Sequence, residues 1–195
     1  MSNLARCVVL VTAVTSLFAV TSSTAGAVTW DNSGNTTFTA TSGPSLLSST
    51  GVTLNCSGAT ATGVAPNNVV GLAYAVSGTA TFSSCTLAGI STGVDCGYTF
   101  TGTSQSGSVT SGNVDLTCGV YQFGAKICHI GGSMASSYTN PVGGAGVLTL
   151  TTGGTLRSSN PGGFSCLWSP GDLLHMPHLR FRTTSANPPV ITRTT

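Results

Sequence analysis

Glutamate is missing from this chain of 195 residues, and charge of either sign is scarce: four acidic side chains, all Asp, stand against six Lys and Arg, so that 5% of residues are charged. So few cations leave no basic patch able to hold a nucleic-acid backbone and no cationic helix for a membrane surface. Four Asp give few ways to pair carboxylates across a glycosidic bond, and Asp95 and Asp115 fall on outward positions of two expected strands. No CxxC occurs, and at least nine residues separate consecutive cysteines after Cys7, so no knuckle of closely spaced zinc ligands can form. A GxSxG serine is also lacking, and Gly143 to Gly146 is not followed by the GK[ST] of a phosphate loop. Good helix formers are thin, Gly numbers 26, and no run of ten or more residues keeps a 3.6 period. Helical folds are thereby set aside.

What the chain has instead is alternation. Cys96, Tyr98 and Phe100 alternate with Gly97, Thr99 and Thr101; Val114, Leu116 and Cys118 alternate with Asp115, Thr117 and Gly119. That period of two describes two half-buried strands. Between them Thr103 to Gly112, rich in Gly and Ser, reads as the hairpin loop, with some extra strand at Val109. Thr36–Ala40, Val52–Cys56, Gly78–Cys85, Val147–Thr151, Leu179–Thr183 and the Pro-led end near Val190 repeat the pattern. Ile127–Met134 is a weaker strand, bulged or at an edge because of Gly131-Gly132. The expected fold is all-β: an antiparallel sandwich or partly open barrel of about eight to ten short strands, stapled by disulfides.

The first 27 residues read as a secretory signal peptide. Arg6 supplies the positive region, Cys7 to Val20 an uncharged apolar stretch, and Ala25-Gly26-Ala27 a small-residue cleavage site, so the mature domain is expected to span 28–195. The apolar stretch is short for a transmembrane helix, and no stable membrane insertion is expected after cleavage. Six cysteines then remain: Cys56, Cys85, Cys96, Cys118, Cys128 and Cys166. An even number in an exported chain implies three disulfides. The hairpin layout pairs Cys96 with Cys118, Cys56 with Cys85 across the earlier strands, and Cys128 with Cys166. A rival linkage, Cys118 with Cys128, stays open, because Gly119 to Gly124 could itself turn back.

Few residues invite chemistry. His175 and His178, with Asp172 three before the first, have the types of metal ligands, but Pro177 denies them the helix on which such spacing converges. They read as a solvated loop, and His129 as a packed or surface side chain. Asp31, Asn32 and Asn35 supply too few carboxylates for a dedicated calcium site. Thr-x-Thr pairs recur (Thr37/Thr39, Thr60/Thr62, Thr79/Thr81, Thr99/Thr101, Thr149/Thr151). Such pairs resemble ice-binding arrays but follow no fixed repeat length, so they read as outward strand faces. Trp30, Tyr74, Tyr121, Tyr138 and Trp168 would form a glycan-stacking platform if exposed together; singly they read as core. No catalytic, cofactor-binding or metal-binding residue is expected.

VTWDNSGNTTFTATSG after the leader, VTLNCSGATATG, GTATFSSCTLAG, KICHIGG, VLTLTTGG, GFSCLWSPGD and the terminal FRTTSANPPVITRTT together resemble a family of small exported proteins common in actinobacteria. The resemblance covers nearly all of the mature chain. It implies a secreted β domain with the pairs Cys56–Cys85 and Cys128–Cys166, to which Cys96 and Cys118 look like an addition. It brings no catalytic residues. The functional expectation is a secreted or wall-associated non-enzymatic domain with a structural or interaction role and an extracellular or envelope partner. A module binding glycans or small ligands through exposed aromatics is the alternative, with a secreted hydrolase behind it.

Overall fold

A computed structural model describes residues 27–49, 51–151, 154–159 and 166–195. The expected signal peptide lies outside them except for Ala27. Among the described residues there is no helix, and the strands in chain order are β1 (Thr29–Asn32), β2 (Thr37–Ser42), β3 (Ser45–Ser49), β4 (Val52–Cys56), β5 (Gly58–Val64), β6 (Val69–Val70), β7 (Tyr74–Leu87), β8 (Ile90–Ser106), β9 (Val109–Gln122), β10 (Ala125–Thr139), β11 (Val147–Leu150), β12 (Arg157–Ser159), β13 (Leu179–Thr183) and β14 (Ile191–Thr194).

Eight of these close a barrel. The order β7-β5-β2-β13-β11-β10-β9-β8 returns to β7 through the β7–β8 ladder, and every pairing is antiparallel. Closure removes the unpaired edges that an open sheet would expose. Four strands of 14 to 17 residues, β7 to β10, make half of the wall and overrun it at both ends. Beyond the near end, β4 pairs with the overhang of β7 and carries β3, while β12 pairs with β10. At the far end β14, β1 and β6 form a small separate sheet.

The segment Thr103 to Gly112 is not a loop. Ser104 to Ser106 pair with Ser111 to Val109, and only Gly107-Ser108 turns. Gly107, at φ 56°, fills the first central position of that two-residue turn, where a type II′ hairpin requires glycine. Hydroxylated residues run as strand here because the ladders from both neighbours supply what their side chains do not. β10 is likewise no edge strand, having β9 on one side and β11 and β12 on the other. Its register shift in the β9 ladder falls between Lys126 and Cys128, away from Gly131-Gly132.

The three disulfides are Cys56–Cys85, Cys96–Cys118 and Cys128–Cys166. Cys96 and Cys118 stand directly opposite in the β8–β9 ladder. Cys118 faces Ile130 across the next ladder and Cys128 faces Val120, so Cys118 and Cys128 are diagonal neighbours, beyond the reach of a disulfide. Between Phe82 and Cys85 the β7 register shifts, with Ser84 at φ 48°, which keeps Cys85 buried beside Cys56.

The interior is lopsided. One level of the wall reads Ala40, Ala61, Ala80, Cys96, Cys118 and Ile130, in register from β2 to β10. Small residues therefore line β2, β5 and β7, while Tyr98, Phe100, Met134 and Phe181 project from strands opposite or beside them. Gly63 and Gly78, which pair with each other, leave room for the rings of Phe38 and Tyr98. A Cβ on Gly78 would meet the Thr62 carbonyl, the Tyr98 hydroxyl at 2.7 Å and the Gly63 Cα at 2.8 Å. Two of those are backbone and the hydroxyl is held by its bond to Thr62 O, so Gly78→Ala is expected to cost about 3 kcal/mol and lower Tm by roughly 10 °C in a thermal melt. A melt within 2 or 3 °C of the parent would show that this wall is not close-packed.

Candidate functional site

Two regions are not accounted for by folding alone, and both follow from the barrel. The first is the near end, where the β7–β8 and β9–β10 hairpins turn. Both use two-residue loops with positive φ at both positions, Ala88 (49°) with Gly89 (82°), and Phe123 (50°) with Gly124 (80°), the type I′ geometry. Asn or Gly is favoured at the first position; a left-handed conformation costs other residues about 1–2 kcal/mol. Phe123 adopts it while 98% exposed, and Ile90 beside the neighbouring turn is 47% exposed. The register Gly93↔Tyr121 and the bond from Gln122 Nε2 to Thr92 Oγ1 (3.2 Å) bring the two tips to one end of the barrel. Next to them Lys126 lies 5.5 Å over the Tyr121 ring.

The second region is the barrel's interior. Between the two ends lies a cavity of about 90 Å³. Leu47, Leu54 and Met176 line it toward the near end and Pro189 and Ile191 toward the far end, so it follows the barrel axis. Phe38, Phe82, Leu116 and Leu148 point inward yet are only partly buried, since part of their surface borders this space. Three of its polar neighbours are bonded within the protein: Tyr98 Oη donates to Thr62 O (3.3 Å), Tyr138 Oη to Pro189 O (2.6 Å), and Thr183 Oγ1 accepts from Gly146 N (2.8 Å). Burial pushes the Tyr98 phenol up to about 12 and holds Tyr138 and Tyr74 well above the usual phenol range, so none of the three ionises near neutral pH.

The residues that drew attention in the sequence are dispersed. His175 exchanges backbone hydrogen bonds with Ser48 (3.0 and 2.8 Å), which ties its segment to β3, and its imidazole and that of His178 lie in exposed positions. Asp172 accepts from Ser169 N (2.8 Å) and so closes a turn. His129 sits outward on β10 with Ser159 Oγ at 3.1 Å. Among the described residues no group of three or more His, Cys, Asp or Glu side chains converges. Trp30, Tyr74, Tyr138 and Trp168 are buried, and Trp168 donates to Val52 O (3.3 Å), so they form no stacking platform. The threonines do align across strands, Thr39–Thr62–Thr79 and Thr41–Thr60–Thr81, on the outer face of the wall whose inner face is alanine. Thr62 and Thr79 hydroxyls lie 3.3 Å apart and Thr39 bonds Thr184 (2.8 Å), so part of their capacity is spent within the protein.

The far end is held by side-chain amides. Asn140 both donates to Ile191 O (2.6 Å) and accepts from Ile191 N (2.8 Å), and Gln105 does the same for Ile191 O (2.6 Å) and Arg193 N (2.6 Å). They extend a ladder where no strand can reach. Composition gives no sign of them. Phe123 had a faint signal, a Phe-Gly dipeptide ending a strand; its exposure depends on a turn of two residues. The chain matches no family model, no curated protein and no solved structure.

Proposed function

We propose that this is an exported, non-enzymatic interaction domain of the actinobacterial type, which presents its near end to an apolar surface on an envelope or extracellular partner. Phe123 carries this reading. A large aromatic held in an unfavourable conformation, fully in solvent, makes no contribution to folding that would retain it, and such outliers point to function. Three disulfides suit an oxidising compartment, and no helix among the described residues is long and apolar enough to cross a membrane. The buried aromatic rings remove the support that a glycan platform would need.

Phe123→Asn is the test, because it separates binding from stability. Asn followed by Gly is the preferred type I′ pair, so the variant should be more stable by about 1 kcal/mol. Burying the phenyl ring against a partner is worth about 2 kcal/mol, so the variant should bind isolated cell envelope of the producer roughly thirty-fold more weakly. Ile90→Ser should add a smaller loss. Co-sedimentation that is equal for parent and variants would remove this end from any interaction.

A further inference from the structure

An eight-stranded barrel is at the size where side chains either fill the interior or leave room for one small ligand. Here the Ala and Gly wall decides for the second. The cavity is several times the space one water needs, yet its lining is almost wholly apolar, and the hydroxyls of Tyr98, Tyr138 and Thr183 around it are already bonded to backbone. A space that is roomy and apolar favours an apolar occupant. It falls well short of the roughly 300–1,000 Å³ of pockets that take drug-sized ligands, which excludes sterols and ring systems of that size, and its apolar lining gives the hydroxyls of a sugar too few partners. Its boundaries run from Met176 to Ile191, and the inward positions Val94 to Phe100 alone span about 20 Å of strand. The space is long and narrow.

We propose that the barrel lumen binds a single unbranched alkyl chain. The chain enters beside β3, where Leu46 borders the cavity while 38% exposed and Ser45 lies next to it. β3 is the appended strand, paired with β4 on one side and tied on the other by the two Ser48–His175 backbone bonds, so it can yield without opening the barrel. Met176, on the same strap as His175, has the flexible side chain to adjust to an occupant. Among the described residues no charged side chain borders the cavity, so the head group stays outside at the mouth. This site is separate from the Phe123 end surface and stands or falls without it.

The experiment uses the disulfide-intact protein with 1-decanol, a branched ten-carbon alcohol (3,7-dimethyl-1-octanol) and decanoyl lysophosphatidylcholine, read by calorimetric titration and thermal melting. Unbranched decanol is expected to bind one per protein and to raise Tm by several degrees; the branched alcohol should bind at least ten-fold more weakly. Binding of the lysolipid as well assigns the chain to a lipid tail, and its failure beside bound decanol assigns it to a free alkyl compound. Ala61→Leu fills the lumen from the centre of the small wall and should weaken decanol at least ten-fold; if it does not fold, Leu116→Phe fills the same space from the opposite side. Phe123→Asn should leave decanol binding unchanged. No binding of decanol, equal binding of branched and unbranched alcohols, or full binding by a folded lumen-filled variant would overturn the proposal.

Discussion

Reduction of the three disulfides should unfold the protein at room temperature. The bridges close loops of 29, 22 and 38 residues. In the chain-entropy account loops of this size contribute about 3–4 kcal/mol each, or roughly 9–12 together. The net stability of whole domains is about 5–15 kcal/mol, so little would remain. Topology sharpens the effect, because β7 to β10 are held by ladders that only a closed barrel completes, and Cys96–Cys118 lies within that wall. Circular dichroism and protease sensitivity should both report loss of structure once the bridges are reduced in mild urea and the urea is removed with thiols kept reduced. Replacing only Cys96 and Cys118 by Ala should cost about 3 kcal/mol and leave a folded barrel. A fully reduced chain that still unfolds cooperatively, near the midpoint of the oxidised one, would show that the ladders suffice.

Asn32→Ala is the largest effect expected from a single side chain. Asn32 is buried and uses its whole amide: Nδ2 donates to Asn35 O and Ala65 O, and Oδ1 accepts from Gly34 N and Val190 N, each at 3.0 Å. Those four bonds join β1 to the segment after β5 and to the approach to β14, and so seat the small sheet on the far end. Truncation leaves two carbonyls and two amide protons without this partner, the Ala65 carbonyl fully buried and the other three groups partly so, at about 1–3 kcal/mol each where they stay buried. A loss of at least 4 kcal/mol, or 10 °C or more in Tm, should follow. Asn140→Ala breaks two bonds, both to Ile191, and should cost about half as much. An Asn140 variant as damaged as the Asn32 variant would mean that bond number does not set the cost.

The period of two in Cys96 to Phe100 and Val114 to Cys118 placed their side chains correctly on the inward face, and Asp95 and Asp115 on the outward one. That is local information, since alternate side chains of a strand point to opposite sides whatever the strand pairs with. The ends of these strands were not legible. Ser104, Gln105 and Ser111 have no strand propensity to advertise, and they are strand because β8 and β9 continue to pair there. Pro177 speaks in the sequence against a helical His175/His178 pair, whereas the job of their segment, bonding to β3 and lending Met176 to the interior, depends on a partner more than a hundred residues away in the chain.

The sequence by itself determined the class of fold, the inward faces and the supply of cysteines, because alternation, glycine content and the lack of helix formers act over a few residues. The tertiary structure alone decided that the sheet closes, that Ala40, Ala61 and Ala80 share one level, and that a cavity remains where they face larger side chains. It also decided that Phe123 stands in solvent while Trp30 and Trp168 do not. These outcomes depend on ladder register between strands distant in the chain. A shift of one residue in any of those ladders would turn the same side chains to the other face.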